Sequence, residues 1–336
     1  MFSHCGNSMG LPSIPYNKKI ARISESHLGY VLALASAALF GLIHSVSKPL
    51  LSSTSTAIEI NPITLAAIIY IINGLFFTPI KKNVNSTYKI TRKNLFIILM
   101  IGVAEVTALI MYFFGLKEST AVNASILANS EIIFTILVAM TVFREKLKKS
   151  ELGPFALMIA GIVFVPLGYE LYHNGLVFTG LIVGNLLIIF SGVFYAIDVN
   201  LSKYVSNKID PKRIVQLASF AAGGLAFSLV LILQIPFEID FRQIPSIVVI
   251  GLFGTGIATF FFIISLRFIG AIRTILLFST TTVFGMVFAA IFLQETVTLS
   301  HVFSIILVSS GTYLLRKRLG KSEIIDKPIE RGSKNA

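Results

Sequence analysis

Two glutamates stand deep inside long apolar stretches of the sequence. Glu105 lies near the middle of an apolar run at 95–116, and Glu131 lies near the middle of another at 122–143. An ionisable side chain in the middle of a membrane span costs about 3 kcal/mol on insertion scales, and it usually faces the helix bundle or a water-filled cavity. We therefore interpret Glu105 as a cavity-lining carboxyl group that binds an amine or exchanges a proton. A protonated glutamate with a purely structural role is the alternative.

Tyr112 shares a predicted helix face with Glu105. This face is defined by spacings of three, four and three residues between Gly102, Glu105, Leu109 and Tyr112, which are the spacings of successive helical turns. An aromatic ring beside a carboxyl group can hold a solute with an apolar body and an ammonium group. Tyr112 is therefore a second candidate for contact with a solute.

Ser125 and Asn129 point away from Glu131 if residues 122–143 form one continuous helix, because each residue advances the helix by about 100°. Such a helix cannot aim Glu131 and Asn129 straight into the same cavity. We expect Ser125 and Asn129 to contact a solute. For Glu131 we expect an interhelical or proton-sensing role, and a structural role is the alternative.

His44 lies on a polar face of the first apolar stretch, 28–50. Histidine titrates near neutral pH when water reaches it, so His44 is a candidate for proton coupling together with Glu105 and Glu131. A histidine that is hydrogen-bonded to a backbone carbonyl group explains its position equally well.

A polar stripe also runs along the stretch that begins at residue 177. It consists of Ser191, Tyr195, Asp198 and Ser202. Tyr195 is the better candidate for a cavity. Asp198 is close to the end of the stretch, so we expect it to pair with Lys203 or to lie at the membrane interface.

The composition is that of a membrane protein. The chain of 336 residues is 55% apolar and only 13% charged, whereas soluble proteins average about 25% charged residues. The net charge of +12 does not indicate nucleic-acid binding, because the charges fall in short clusters between apolar runs and form no basic face. The single Cys5 excludes an intrachain disulfide framework. The five histidines form no metal-binding pair, and we expect no metal or cofactor.

The apolar runs predict an all-α integral membrane protein with ten transmembrane helices, since a span needs about 20 apolar residues. The predicted spans are 28–50, 62–80, 95–116, 122–143, 152–168, 177–201, 212–234, 244–265, 271–293 and 298–315. With the N-terminus inside, all of the 28 lysines and arginines except Lys48, Lys117 and Arg242 fall on the inner side. The positive-inside rule therefore predicts a cell-membrane protein whose two termini are both cytoplasmic.

The chain contains a long internal repeat. Residues 115–163 align without a gap on residues 265–313, with Leu116 on Leu266, Ala121 on Ala271, Glu145 on Glu295 and Gly161 on Gly311. Five predicted spans separate the two copies, and because five is an odd number the copies must be inverted in the membrane. Inverted repeats with a solute site at their interface are typical of transporters. We predict two five-helix halves at 28–168 and 177–316, with cytoplasmic tails at 1–27 and 317–336.

The candidate carboxyl groups are confined to the first half. At the offset of the repeat, Glu105 corresponds to Thr255, and Glu131 corresponds to Thr281. Packing alone would accept threonine in both halves, so this asymmetry favours a functional role for the glutamates. The hydroxyl groups of Thr255 and Thr259 complete the candidate solute site, although a threonine in a helix by default bonds to a carbonyl group one turn earlier.

The sequence resembles the EamA-type transporters of the drug/metabolite transporter superfamily. The resemblance covers 28–316, and its most specific motifs are Glu145-x4-Ser150 and Glu295-x4-Ser300, each followed by a glycine, Gly161 or Gly311. It implies ten spans in two inverted repeats and a carrier, often an exporter, of amino acids, other metabolites or drugs. Members of this family often carry tryptophan early in the first span. This chain has no tryptophan, and Phe40 takes that place.

These features predict a secondary carrier that works by alternating access. Its expected partners are membrane lipids and a small organic metabolite such as an amino acid, held by Glu105, Tyr112, Asn129 and Tyr195. The sequence shows no ATP-binding loop, so we expect uniport or coupling to an ion such as the proton. An uncoupled facilitator or a channel is the alternative. An intramembrane enzyme would need paired aspartate clusters or a histidine-rich iron site, and neither is present in the sequence.

The predicted topology is tested by tagging both ends of the chain. We expect tags at the N-terminus and at the C-terminus to be protected from proteases in sealed right-side-out vesicles and to be cleaved after the membrane is permeabilised. Tags on opposite sides of the membrane would contradict an even number of spans.

Overall fold

The computed structural model describes residues 18–52, 58–78, 90–142, 149–164 and 180–325. These residues form helices and short connections, and no β-strand occurs among them. The α-helices are α1 (Lys18–Ser47), α2 (Pro62–Phe77), α3 (Arg92–Glu118), α4 (Ala121–Leu127), α5 (Ser130–Val142), α6 (Lys149–Ile159), α7 (Gly180–Ser206), α8 (Pro211–Ile232), α9 (Ile244–Val249), α10 (Ala258–Ile269), α11 (Ala271–Phe278), α12 (Thr281–Phe292) and α13 (Leu299–Ile325). The segments Ala160–Phe164 and Ile250–Ile257 are π-helical.

Seven helical stretches in the described part of the chain are long and apolar enough to cross a membrane. They are Ser26–Leu50, Arg92–Glu118, Ala121–Val138, Gly180–Ser206, Pro211–Ile232, Phe241–Ile269 and Arg273–Phe292. The apolar helices Pro62–Phe77 and Leu299–Leu315 are shorter. Each predicted span overlaps at least one helix, while the predicted ends at 79–80, 143, 165–168 and 177–179 lie outside the described residues.

Two of the spans predicted as continuous helices are interrupted. The span at 122–143 is broken at Ala128 and Asn129, and the span at 271–293 is broken at Ser279 and Thr280. The two breaks overlap at one equivalent position of the repeat, because Asn129 corresponds to Ser279. The prediction of continuous helices is wrong because polar side chains at the breaks have other partners: the Asn129 amide group bonds to the second break, and the hydroxyl groups of the second break bond to nearby carbonyl groups. Thr280 Oγ1, for example, donates to the Leu277 carbonyl oxygen at 2.8 Å.

Lysine side chains cap the C-terminal ends of two helices. Lys48 Nζ donates to the carbonyl oxygens of Leu116, Lys117 and Ser119 at 2.6–2.9 Å, where α3 ends. Lys203 Nζ donates to the carbonyl oxygen of Leu266 at 2.9 Å, in the last turn of α10. Leu116 and Leu266 are equivalent in the repeat, so the same contact is made in both halves.

The glutamate of the doubled motif caps the N-terminal end of a helix. The two carboxylate oxygens of Glu295 accept hydrogen bonds from the backbone N–H groups of Ala121 at 2.9 Å and Val122 at 2.8 Å. These N–H groups begin α4 and have no partner within the helix. The contact joins the connection after α12 to the first half of the chain. The equivalent Glu145 lies outside the described residues.

Glycines allow the closest contacts between helices. A methyl group on Gly115 would lie 2.6 Å from the Gly184 carbonyl oxygen, so α3 and α7 meet backbone to backbone at this point. The late glycines of the repeat serve the same purpose, because a methyl group on Gly161 would lie 2.8 Å from the Ser304 carbonyl oxygen. On Gly311, a methyl group would lie 2.8 Å from the Pro154 carbonyl oxygen. Small residues at helix contacts are typical of membrane proteins.

We expect the substitution Gly115→Ala to lower the melting temperature of the detergent-solubilised protein by several degrees, because the new methyl group forces α3 and α7 apart. The matched control is Gly224→Ala, where nothing lies within 4 Å of the added methyl group. There the melting temperature should stay the same or rise, since alanine is favoured over glycine inside a helix by roughly 0.5–1 kcal/mol. Equal melting temperatures for the two variants would contradict this packing.

Candidate functional site

A cavity lies between α1, α3, α7, α10 and the two helix breaks. Its empty space is about 770 Å³, including the part that is open to solvent. The polar residues that line it are His44, Glu105, Tyr112, Asn129, Glu131, Tyr195, Asp198, Thr259 and Thr281. The cavity is therefore built by elements from both halves of the repeat.

Three carboxyl groups reach this cavity from three different helices. Glu105 on α3 and Glu131 on α5 are at least nine-tenths buried, and Asp198 on α7 is half-buried. Asp198 lines the same cavity as both glutamates. Ser202 Oγ donates a hydrogen bond to Asp198 Oδ1 at 2.8 Å.

His44 and Tyr112 form a pair in the wall of the cavity. The Tyr112 hydroxyl group is hydrogen-bonded to His44 Nδ1, and the two rings meet edge to face with their centroids 5.6 Å apart. The other ring nitrogen, His44 Nε2, is buried and has no hydrogen-bond partner among the described residues. A buried polar atom without a partner is unfavourable, and it commonly marks a place where a ligand or water binds.

Asn129 joins the two helix breaks to each other. Its Nδ2 atom donates hydrogen bonds to Thr282 Oγ1 and to the Ser279 carbonyl oxygen, the latter at 3.4 Å. Thr282 Oγ1 in turn donates to the Ser125 carbonyl oxygen at 3.1 Å. Asn129 and Ser279 are equivalent in the repeat, so this contact lies where the two halves meet.

Aromatic rings form an apolar wall of the cavity. Phe40 and Phe262 both meet Phe278 edge to face, with centroid distances of 5.0 Å and 4.9 Å. Tyr195 adds a further ring to the lining. A solute in this cavity would therefore contact carboxyl groups as well as aromatic surfaces.

The structure brings together most of the site residues that the sequence predicted. Five of the seven predicted solute contacts line the cavity, namely Glu105, Tyr112, Asn129, Tyr195 and Thr259, and so do Glu131 and His44. The expectation that Glu131 and Asn129 cannot face the same cavity is wrong, because the helix break between them removes the regular angular spacing.

Two predicted contact residues lie elsewhere. Ser125 Oγ donates to the Val122 carbonyl oxygen at 2.8 Å. Thr255 Oγ1 donates to the Gly251 carbonyl oxygen at 2.9 Å and accepts a hydrogen bond from Asn73 Nδ2 at 3.2 Å. Neither residue lines the cavity, because the hydroxyl group of each is occupied by contacts inside the helix bundle.

We did not predict from the sequence that Asp198 lines the cavity. The expected pairing of Asp198 with Lys203 is wrong, since Lys203 Nζ donates to the Leu266 carbonyl oxygen. The signal was present in the sequence, because Asp198 follows Tyr195 by three residues and so shares its helix face. Thr281 was also missed as part of the lining.

Comparison with known proteins identifies the family. The model of the EamA-like transporter family matches residues 27–167 and again 182–317. An uncharacterized transporter from Methanothermobacter thermautotrophicus is 30% identical over 301 residues, 85% of each chain. An uncharacterized transporter from Archaeoglobus fulgidus is 22% identical over 158 residues, 47% of this chain and 48% of its own.

The fold is also found in a solved structure. One crystal structure of another protein aligns with this chain with a TM-score of 0.65. The alignment covers 90% of this chain and 99% of the other chain. At 16% identity, this likeness shows the fold alone. The two family matches and the similarity over most of the first relative show that the chain belongs to the EamA-like transporter family, as a multi-pass membrane transporter.

Proposed function

We propose that this protein is a secondary carrier of a small organic metabolite, built from two inverted five-helix halves and working by alternating access in the cell membrane. The observation that carries the proposal is the cavity between the two helix breaks, which equivalent elements of both halves line. α1 and α7, α3 and α10, and the two breaks each contribute to it. A solute site at the interface of inverted repeats is the usual arrangement in secondary transporters.

The contacts of the two halves support a rocking movement. Within each half, a lysine ties one helix to another, Lys48 in the first half and Lys203 in the second. Between the halves, Asn129 bonds to Thr282 and Ser279 at the breaks. A movement that exposes the cavity to one side or the other would keep the lysine contacts within each half and would shift the contacts between the halves, which include the close approach of Gly115 and Gly184.

Proton coupling follows from the buried carboxyl groups. Burial disfavours the charged form of a carboxyl group, and water favours it. When water enters the cavity, Glu105 or Glu131 releases a proton and an ammonium group of the solute takes its place, with His44 as a further titratable group. Amino acids and simple amines both carry such a group. A proton gradient directed into the cell then drives export of the solute.

The carrier mechanism is tested by counterflow in proteoliposomes. Vesicles are loaded with an unlabelled solute from a panel of amines, amino acids and sugar phosphates, and uptake of the same labelled solute is measured. We expect loading to accelerate uptake for at least one solute, because a carrier returns faster when it is occupied. Planar bilayers should show no unitary conductance. Conductance without counterflow would indicate a channel.

The role of Glu105 is tested by the substitution Glu105→Gln. We expect this variant to lose uptake or efflux driven by a pH gradient while counterflow of the solute continues. The control is Glu238→Gln, which removes an exposed carboxyl group. A Glu105→Gln variant whose transport is still driven by a pH gradient, with unchanged pH dependence, would exclude Glu105 from coupling. A wild-type protein that shows counterflow but no response to the gradient would be an uncoupled facilitator.

A further inference from the structure

We infer that the transported solute is an organic amine that carries positive charge and lacks a carboxylate group. This inference rests on the proposed carrier function and narrows its substrate class. The cavity is lined by the carboxyl groups of Glu105, Glu131 and Asp198, and no lysine or arginine occurs among its described lining residues. A positively charged solute can therefore pair with a carboxyl group in the cavity, whereas the carboxylate of an amino acid would find no lysine or arginine among the described lining residues.

Two lysines near the ends of helices that line the cavity could pair with a carboxylate group, but both already donate hydrogen bonds to backbone carbonyl oxygens. Lys48 Nζ is bound by three carbonyl oxygens at the end of α3. Lys203 Nζ is bound by the Leu266 carbonyl oxygen. Neither lysine lines the cavity, and both would have to leave a helix end without its partner in order to reach a solute.

Helix N-termini are the other means by which transporters bind carboxylate groups. α5 and α12 both begin at the cavity, but most of their first N–H groups are occupied. The N–H groups of Glu131 and Ile132 donate to carbonyl groups of the first break, and those of Thr282 and Val283 donate to carbonyl groups of the second. The first turn of α5 also carries the Glu131 carboxyl group itself. These ends are therefore poor sites for an anionic group.

The remaining lining suits the organic part of an amine. The rings of Phe40, Phe262, Phe278, Tyr112 and Tyr195 contribute to the wall, and aromatic faces attract cations as well as apolar groups. No group of three or more acidic, histidine or cysteine side chains suited to a metal ion occurs among the described residues, so the arrangement favours an extended organic cation over a metal ion.

The inference is tested with solutes that share a body and differ in charge. The aromatic series is tyramine, tyrosine, 2-(4-hydroxyphenyl)ethanol and 4-hydroxyphenylacetate, and the aliphatic pair is 3-methylbutylamine and leucine. Both amines are protonated at neutral pH. We expect counterflow with at least one of the two amines, at an affinity at least about tenfold higher than that of its amino acid, since a charged group buried without a partner costs more than that factor. The neutral and anionic solutes should compete weakly or not at all.

Variants then identify the carboxyl groups that recognise the amine. We expect Asp198→Asn and Glu131→Gln to weaken amine binding by about tenfold or more, measured by competition in counterflow and by the ligand-induced rise in melting temperature. Glu238→Gln should bind the amine like the wild type. The melting temperature without ligand shows whether each variant is folded.

The outcomes separate this inference from the carrier proposal. Counterflow with tyrosine, leucine or a sugar phosphate at an affinity equal to or above that of both amines would overturn the amine assignment and leave the carrier function in place. Normal amine binding by folded Asp198→Asn and Glu131→Gln variants would also overturn it. The absence of counterflow with every solute of the panel would overturn both proposals.

Discussion

Helix ends that are buried in protein must find partners for their backbone groups, because water does not reach them. Most of the structure described above follows from this constraint. Lys48 and Lys203 satisfy the carbonyl groups at the ends of two helices. Glu295 satisfies the N–H groups at the start of α4. The helix breaks satisfy each other through Asn129, and the cavity forms where they meet.

The charged residues of the chain therefore divide into two groups with different tasks. Lys48, Lys203 and Glu295 are fixed by backbone groups and hold helices together. Glu105 and Asp198, in contrast, face the cavity, and Asp198 accepts a hydrogen bond from the Ser202 side chain. Charges fixed at helix ends hold helices together within and between the halves, and charges at the cavity remain available to a solute or a proton.

Much of the architecture could be predicted because it depends on local or periodic features. Apolar length predicted the helices. Two of them, α2 and α8, begin in the same way, because the side chains of Asn61 and Asp210 each accept a hydrogen bond from a backbone N–H group in the first turn. Helical spacing placed Glu105 and Tyr112 on one face, and both line the cavity. The repeat aligned Leu116 with Leu266, and in the structure the carbonyl oxygen of each accepts a hydrogen bond from a lysine.

The sequence-based predictions were wrong where contacts between distant parts of the chain determine the local structure. The breaks at Asn129 and Ser279 interrupt runs that are apolar enough for continuous helices, and hydrogen bonds between the two halves stabilise them. Once the break was missed, the angular relation between Asn129 and Glu131 was wrong as well. Whether Asp198 pairs with Lys203 depends on where the lysine side chain binds. Lys203 donates to a carbonyl oxygen on α10, a helix that is distant in sequence.

The bond between the two breaks has a mechanical consequence. This bond joins the two broken spans away from their ends, and a rocking movement centred on it would displace most the helix ends, which lie about 15 Å from the middle of a helix of twenty residues. Asn129 lies at this contact and also lines the cavity. The groups that hold the solute would then lie near the centre of the rocking movement. The geometry of the binding site could therefore stay the same while the entrances to the cavity open and close.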